Sequence, residues 1–205
     1  MAVACDPGRP FPPRALPRER LAMLAATVDG AAADARVAAV ARELSRAADL
    51  CVLRARELGH TYLHAAAYVD TCAEFLRPLY RREAPGVDTY RPVAETLRCG
   101  GDCGPLAAAL VALARRYTGE PGVVYVAPPL GARLCWIRQR SRPLDHVAPL
   151  VAFGPAGGDA PLILDAGDDA PPGWFWLDVS QRARRNESPW EAAARLRGEG
   201  SEVST

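Results

Sequence analysis

One stretch of the sequence is apolar on every side of a helix. The segment CGPLAAALVALA, from Cys103 to Ala114, contains no charged residue. A helix that is apolar all round is normally buried among other elements. The sequence therefore predicts a central helix over about 104–117 that ends near Gly119 and that the other elements surround.

The spacing of apolar residues divides the chain into four parts. Residues 1–18 are rich in proline, which predicts an extended or disordered lead-in. Residues 19–92 show the three- and four-residue spacing of helices, with Gly59 as a stop. Residues 93–180 combine the central helix with short apolar runs typical of antiparallel strands, and residues 181–205 predict a tail with a short helix. The predicted fold class is α+β.

The charge balance excludes some partners. The formal net charge is +1, so the chain has no general attraction to nucleic acid or to an anionic membrane. All 25 basic residues are Arg, which indicates the codon usage of a GC-rich genome. No apolar run reaches the roughly 18 residues of a membrane span, and the first residues lack the apolar core of an export signal. We therefore expect a cytoplasmic protein with no nucleic-acid or membrane partner, and the oligomeric state stays open.

The cysteines predict free thiols rather than disulfides or a metal site. Without an export signal, cytosolic thiols are normally kept reduced. No second cysteine pair or histidine pair supplies the ligands that a zinc site needs, and no Glu directly follows His60 to complete a zinc motif with His64. We expect no cofactor and no metal. The six cysteines are Cys5, Cys51, Cys72, Cys99, Cys103 and Cys135.

Cys103 is a candidate nucleophile at the start of the central helix. Asp102 is suited to the N-cap position, and Pro105 falls in the first turn, where its missing N–H has no cost. The positive end of the helix dipole favours a thiolate there. First-turn N–H groups can bind an oxyanion, so Gly101, Asp102 and Gly104 are candidate oxyanion or substrate-binding residues. The alternative is that Cys103 only packs, because Cys is often buried.

A cysteine nucleophile needs a base and a group that orients the base. His146 begins the apolar run HVAPLVAF, where a strand can hold the ring at a sheet edge. Asp165 ends the run PLILD, and a carboxylate after a buried strand needs a partner. We therefore assign Asp165 to orient the imidazole of His146. The competing carboxylates are Asp168, Asp169 and Asp178.

These segments resemble a known family of cysteine enzymes. GGDCGPLAAALVALARRYTG, then DHVAPLVAF, then LILDA are similar to the transglutaminase-like superfamily, which has a papain-like order of Cys, His and Asp. The segment before Cys103 resembles bacterial and phage-type members. The resemblance implies a core with Cys103 at a helix N-terminus packed on a small antiparallel sheet, a thioester intermediate, and a protein, peptide or small amide substrate. Members of this family commonly use a side-chain donor to help bind the oxyanion. The candidates for this donor are Tyr62, Tyr68 and Trp136.

The chain also departs from the family, and other functions stay open. Gly104 and Pro105 stand where many members have an acidic pair, and Pro149 is expected only at a sheet edge or bulge because it lacks an N–H. The main hypothesis is a cysteine-dependent acyl-transfer enzyme, either a peptidase or amidase or a transferase. One alternative is an inactive transglutaminase-like binding or assembly module. Others are an arylamine N-acetyltransferase-like acyltransferase and a partner-docking role for the helices.

Overall fold

The computed structural model describes residues 5, 8–12, 15–60, 63–81, 89–123, 130–138, 146–153, 163–165 and 174–177. Within these ranges the chain forms α-helices whose bounds are α1 (Pro17–Gly30), α2 (Ala35–Glu57), α3 (His64–Leu76), α4 (Val93–Cys99) and α5 (Cys103–Ala114). Short 3₁₀ turns follow α1 at Ala31–Ala33 and α3 at Arg77–Leu79. The fold is mixed α+β, as the sequence predicts.

The described strands form two sheets. Their bounds are β1 (Arg9–Pro10), β2 (Thr89–Tyr90), β3 (Leu130–Arg138), β4 (His146–Phe153), β5 (Ile163–Asp165) and β6 (Trp174–Trp176). β1 and β2 form an antiparallel pair, and the other four strands form a sheet in the order β5-β3-β4-β6. β4 is antiparallel to β3 and β6, but β5 is parallel to β3. The antiparallel prediction is therefore wrong for β5, because an apolar run does not encode which sheet edge the chain reaches.

The apolar helix α5 is the centre of the molecule. Every residue from Gly104 to Ala114 is buried. α5 contacts β3 and β4 on one side and α1, α3 and α4 on others. The prediction of a buried central helix is confirmed, although the helix ends at Ala114, a few residues earlier than expected.

The helices and the sheet share one hydrophobic core. Leu24 and Leu44 of the N-terminal helices and Leu134 and Val151 of the sheet belong to the same buried cluster. The predicted boundary between residues 19–92 and residues 93–180 therefore marks a change in the sequence pattern. The described residues on its two sides share one core. α5 joins the two because it is buried against both.

The helix boundaries follow ordinary capping chemistry. Asp34 caps α2 by accepting hydrogen bonds from the N–H groups of Arg36 and Val37 at 2.8 and 3.2 Å. α2 ends at Glu57, and Gly59 has a φ of 75°, the left-handed conformation typical of a residue that follows a helix. The stop predicted at Gly59 is confirmed.

Three elements lie where the sequence predicts none. β1 falls inside the lead-in of residues 1–18, and β2 and α4 fall in the connector before Cys103. β1 and β2 contain two residues each, too short for a periodic pattern to reveal them. The predicted tail at 181–205 lies outside the described residues.

Pro149 lies inside the sheet and not at its edge. It pairs with Leu134 of β3 in the interior strand β4, and its carbonyl accepts the N–H of Leu177 at 3.0 Å. The strand β6 ends at Trp176, just before this contact. The missing N–H of Pro149 therefore falls where the ladder between β4 and β6 ends. Pro149 thus costs no hydrogen bond inside that ladder, although it lies on an interior strand.

One pair of cysteines is oxidised. Cys5 and Cys99 form a disulfide with a Cα–Cα distance of 5.7 Å, within the usual range for such a bond. The expectation that all six cysteines stay reduced is wrong for these two. The sequence could not show it, because the partners are 94 residues apart and only the pairing of β1 with β2 brings the N-terminal segment beside α4.

Within the described ranges, no helix combines the length and the apolar character needed to cross a bilayer.

Candidate functional site

Cys103 is the first residue of α5 and directly follows the N-cap Asp102. Asp102 Oδ1 accepts the N–H of Gly104 at 3.2 Å, and its Oδ2 accepts the N–H of Thr89 at 3.4 Å. The predicted cap and helix start are confirmed. Both carboxylate oxygens are engaged by backbone donors, so the cap ties the Cys103 end of α5 to strand β2.

Most backbone donors around Cys103 are already in use. Gly101 donates its N–H to the Leu79 carbonyl at 3.1 Å, Gly104 donates to Asp102, and Leu106 donates to the Asp102 carbonyl at 3.2 Å. The predicted oxyanion role of the Gly101 and Gly104 N–H groups is therefore not supported in this state. Because Pro105 has no N–H, the Cys103 N–H is the remaining first-turn backbone group that is a candidate oxyanion donor.

The two glycines before the helix serve the packing of the chain itself. Gly100 has a φ of 77°, and a Cβ atom there would lie 2.1 Å from the Leu79 carbonyl oxygen. A Cβ at Gly101 would lie 2.8 Å from the Cβ of Pro105. The Gly-Gly pair is needed for this tight turn.

A small cavity borders Cys103. It leaves about 10 Å³ for the centre of a water-sized molecule, which is room for roughly one water. The cavity is therefore too small for a substrate in this state. Its walls are Phe11, Thr89, Asp102, Cys103, Gly104, Trp136 and Val147.

Two walls of this cavity carry buried polar atoms that lack a partner. Thr89 Oγ1 and Trp136 Nε1 have no hydrogen-bond partner in the described part of the chain, and both side chains are at least nine-tenths buried. Buried donors of this kind are uncommon and are frequent at functional sites. Trp136 is one of the three candidate donors predicted from the sequence, whereas no motif or spacing indicates Thr89.

The other candidate donors are excluded or not described. Tyr68 donates its hydroxyl to the Leu113 carbonyl at 2.9 Å inside the core, so it is engaged elsewhere. Tyr62 lies outside the described residues. Of the three candidate donors predicted from the sequence, Trp136 is therefore the one that the structure places at the Cys103 cavity.

His146 and Asp165 lie on the sheet that packs against α5. His146 is the first residue of β4 and pairs with Ile137, and Asp165 is the last residue of β5 and pairs with Arg138. Both lie at the end of the sheet where Val147 borders the cavity. However, β3 lies between β4 and β5, so the two residues are not on adjacent strands.

The strand register relates the predicted triad residues to the faces of the sheet. Val147 borders the cavity beside Cys103, and His146 is its neighbour along β4. Successive residues of a strand belong to opposite faces, so regular alternation assigns His146 to the face opposite Val147. The same rule assigns Asp165 to the face of Val147. The side chains of His146 and Asp165 are outside the described part of the structure.

A second histidine forms a network that the sequence did not reveal. His64 is buried, with Nδ1 2.7 Å from the Tyr117 hydroxyl and Nε2 2.7 Å from Asp49 Oδ1. Both ring nitrogens are engaged, so His64 joins α2, α3 and the end of α5. It is not available to form a metal site with His60, and the described residues contain no group of three His, Cys, Asp or Glu side chains placed to bind a metal.

Burial makes one other cysteine unreactive. Cys72 is fully buried, and burial raises its pKa from 9.0 to about 12, partly opposed by a hydrogen bond with Tyr68. Burial also raises the pKa of Tyr68 well above its ordinary value. Cys72 therefore stays a neutral thiol near neutral pH, whereas Cys103 lies partly exposed at a helix start.

Comparison with known proteins adds no family assignment. The sequence matches no protein-family model, and no curated protein or solved structure is significantly similar to it. The transglutaminase-like resemblance therefore stays a prediction from the motifs around Cys103, His146 and Asp165.

Proposed function

We propose that the protein is a cysteine-dependent acyl-transfer enzyme with a transglutaminase-like core and Cys103 as its nucleophile. The observation that carries the proposal is the cavity at the start of α5. It places Cys103, at the helix start, beside the unpartnered donors Trp136 Nε1 and Thr89 Oγ1. This arrangement supplies a nucleophile and hydrogen-bond donors for a developing negative charge.

The proposed reaction forms and resolves a thioester. The Cys103 sulfur attacks the carbonyl carbon of an amide, and the Cys103 N–H and Trp136 Nε1 donate to the oxygen as it becomes an oxyanion. His146 takes the thiol proton and returns it to the leaving amine, with Asp165 as the proposed orienting carboxylate. Water then releases a carboxylic acid, or an amine releases a new amide. The substrate is a protein, a peptide or a small amide.

The proposal sets a geometric condition on His146. Because regular alternation assigns this residue to the face opposite Val147, the start of β4 must depart from the regular strand when the site is assembled. His146 is the terminal residue of its strand, where the ladder places the weakest restraint on the backbone. A bound substrate would supply the contacts that favour this change.

Acetyl transfer from p-nitrophenyl acetate tests the proposed nucleophile. The chain is first reduced and desalted, then treated briefly with the ester at neutral pH, and peptides are mapped by mass spectrometry. We expect Cys103 to gain one acetyl group faster than the exposed Cys51 and to lose it again as the thioester hydrolyses. Acetylation of Cys103 no faster than Cys51 would contradict the proposal.

The register of His146 favours a second candidate function. If His146 stays on the face opposite Cys103, the chain keeps the fold without the chemistry, as an inactive transglutaminase-like binding or assembly module. This candidate predicts no turnover of the acetyl group on Cys103. The arylamine N-acetyltransferase-like alternative has no separate structural support and is distinguished by transfer of that acetyl group to an arylamine.

A further inference from the structure

The N-terminal segment closes the cavity at Cys103. β1 pairs with β2, with Arg9 opposite Tyr90 and Pro10 opposite Thr89. The next residue, Phe11, forms one wall of the cavity and is 8% exposed. A proline-rich segment with little regular structure is normally exposed, so the burial of Phe11 is unusual.

Phe11 packs against aromatic and cationic side chains, which together form the Phe11 site. Its ring centroid is 5.3 Å from that of Tyr90. The Arg20 guanidinium lies 5.6 Å from the centroid of Phe11 and 5.8 Å from that of Trp136, within the range of cation–π attraction. The Phe11 site therefore consists of the Tyr90 ring, the Arg20 guanidinium and Trp136, which also borders Cys103.

A covalent bond holds the segment in place. On one side Cys5 is bonded to Cys99, the last residue of α4, four residues before Cys103. On the other side the chain enters α1 at Pro17. Besides the disulfide, the burial of Phe11 and a two-residue ladder in which Pro10 has no N–H to donate contribute to holding the segment.

We propose that the groove along β2 binds an extended peptide with an aromatic side chain, and that the chain's own residues 8–12 occupy this groove until the Cys5–Cys99 disulfide is reduced. A peptide that replaces β1 would pair with the backbone of Thr89 and Tyr90. Its aromatic ring would take the place of the Phe11 ring in the Phe11 site. Strand addition of this kind takes affinity from main-chain hydrogen bonds and specificity from side-chain seats. The substrate part rests on the proposed function, whereas the closing of Cys103 by the segment does not.

The release step needs a reductant of the dithiol class. One thiolate of the dithiol attacks a sulfur of the disulfide, and the other cysteine leaves as a thiolate. The second thiol of the reductant then displaces the bound cysteine from the mixed disulfide. The protein gains two thiols, and the dithiol becomes a disulfide, so electrons and protons balance.

Alkylation of Cys103 tests the closing segment. The variant Cys5→Ala/Cys99→Ala and the wild type are treated with limiting iodoacetamide without reductant, and labelling is mapped by peptide. We expect Cys103 to label faster in the variant, because Phe11 covers one side of the partly exposed Cys103 in the wild type. Cys51 reports the intrinsic reagent rate in both, and protection of Cys72 shows that the variant is folded. Equal Cys103 rates in two folded proteins would overturn the proposal.

A second pair of variants keeps the disulfide intact. Phe11→Ala removes the wall of the cavity, and Phe175→Ala removes a phenylalanine that is 55% exposed on β6. We expect faster labelling of Cys103 in Phe11→Ala and no change in Phe175→Ala. A rate unaffected by Phe11→Ala would show that the segment does not close the site.

Peptide protection tests the occupant of the groove. The peptide Gly-Arg-Pro-Phe-Pro, with both ends capped, is added to Cys5→Ala/Cys99→Ala during alkylation, and Gly-Arg-Pro-Ala-Pro is the control. We expect only the phenylalanine peptide to slow the labelling of Cys103. No protection by either peptide would overturn the peptide groove. If protection occurs but Cys103 shows no acetyl turnover, the groove stands and the proposed enzyme function fails.

Discussion

At the scale of single residues, two glycines with similar positive φ values differ in what surrounds them. Gly59 and Gly100 have φ values of 75° and 77°. A Cβ at Gly59 would meet nothing within 4 Å, whereas a Cβ at Gly100 would meet the Leu79 carbonyl. Gly100 also has a ψ of −172°, a combination with positive φ that is essentially restricted to glycine, so both its backbone and its contact with Leu79 require glycine.

Alanine substitutions measure this difference. We expect Gly59→Ala to lower the free energy of unfolding by about 1–2 kcal/mol, the strain of a left-handed alanine. Gly100→Ala should cost clearly more, because the Leu79 segment must also move. Urea denaturation of both variants checks the prediction, and equal losses would show that the turn before Cys103 can open without cost.

Trp136 gives a second test at this scale. Trp136→Phe keeps the ring in the cavity wall but removes the N–H that lacks a partner. Loss of an oxyanion donor typically slows the chemical step by about 10²–10³-fold, so we expect acetylation of Cys103 to slow in that range. The control is Trp174→Phe, because Trp174 Nε1 is also buried without a described partner but lies on the opposite face of the sheet. Equal effects would exclude Trp136 as the donor.

At the scale of elements, patterns that are local in sequence were predictable and those that depend on partners were not. The start of α5 was predictable because Asp102, Cys103 and Pro105 are consecutive or nearly so and capping acts over a few residues. The parallel pairing of β5 and the short strand β1 were not, because each depends on a partner far away in sequence. Thr89 and Phe11 escaped notice for the same reason.

The strand order bears on the orienting carboxylate. β6 borders β4, which begins with His146, whereas β5 is separated from β4 by β3. Asp178, outside the described residues, follows β6 in the sequence, and Asp165 ends β5. We expect Asp165→Asn to slow the acetyl transfer by about 10²–10⁴-fold, and Asp178→Asn to slow it less. The reverse order would make Asp178 the orienting carboxylate in place of Asp165, and Asp168→Asn serves as the control.

At the scale of the whole molecule, one core holds the helices, the sheet and the candidate site together. The ring of Tyr68 packs against that of Tyr117 at 5.1 Å between centroids, and Cys72 is buried one turn away on α3. Burial raises the pKa of both Tyr68 and Cys72. The fold therefore depends on these groups staying neutral.

The raised pKa values predict alkaline destabilisation. Between about pH 9 and pH 12 the Cys72 thiol keeps its proton in the folded state and loses it in the unfolded state. The free energy of unfolding should therefore fall above pH 9, by up to about 1.4 kcal/mol per pH unit for one such proton. Urea denaturation across this range should show a shallower fall for Cys72→Ala than for Cys51→Ala, in which an exposed cysteine is removed. An equal fall of the free energy of unfolding with pH in the two variants would contradict a raised pKa at Cys72.

The central claim is that Cys103 and His146 act together, and the histidine dependence of acetyl transfer tests it most directly. The measurement compares the acetylation rate of Cys103 by p-nitrophenyl acetate in His146→Ala and His60→Ala, each in the Cys5→Ala/Cys99→Ala background, with Cys51 as the internal reference. His60 is exposed and serves as the matched control. Loss of a general base typically costs about 10²–10⁴-fold, so we predict that His146→Ala slows Cys103 in that range while His60→Ala does not. Equal rates at Cys103 in the two variants would contradict the account.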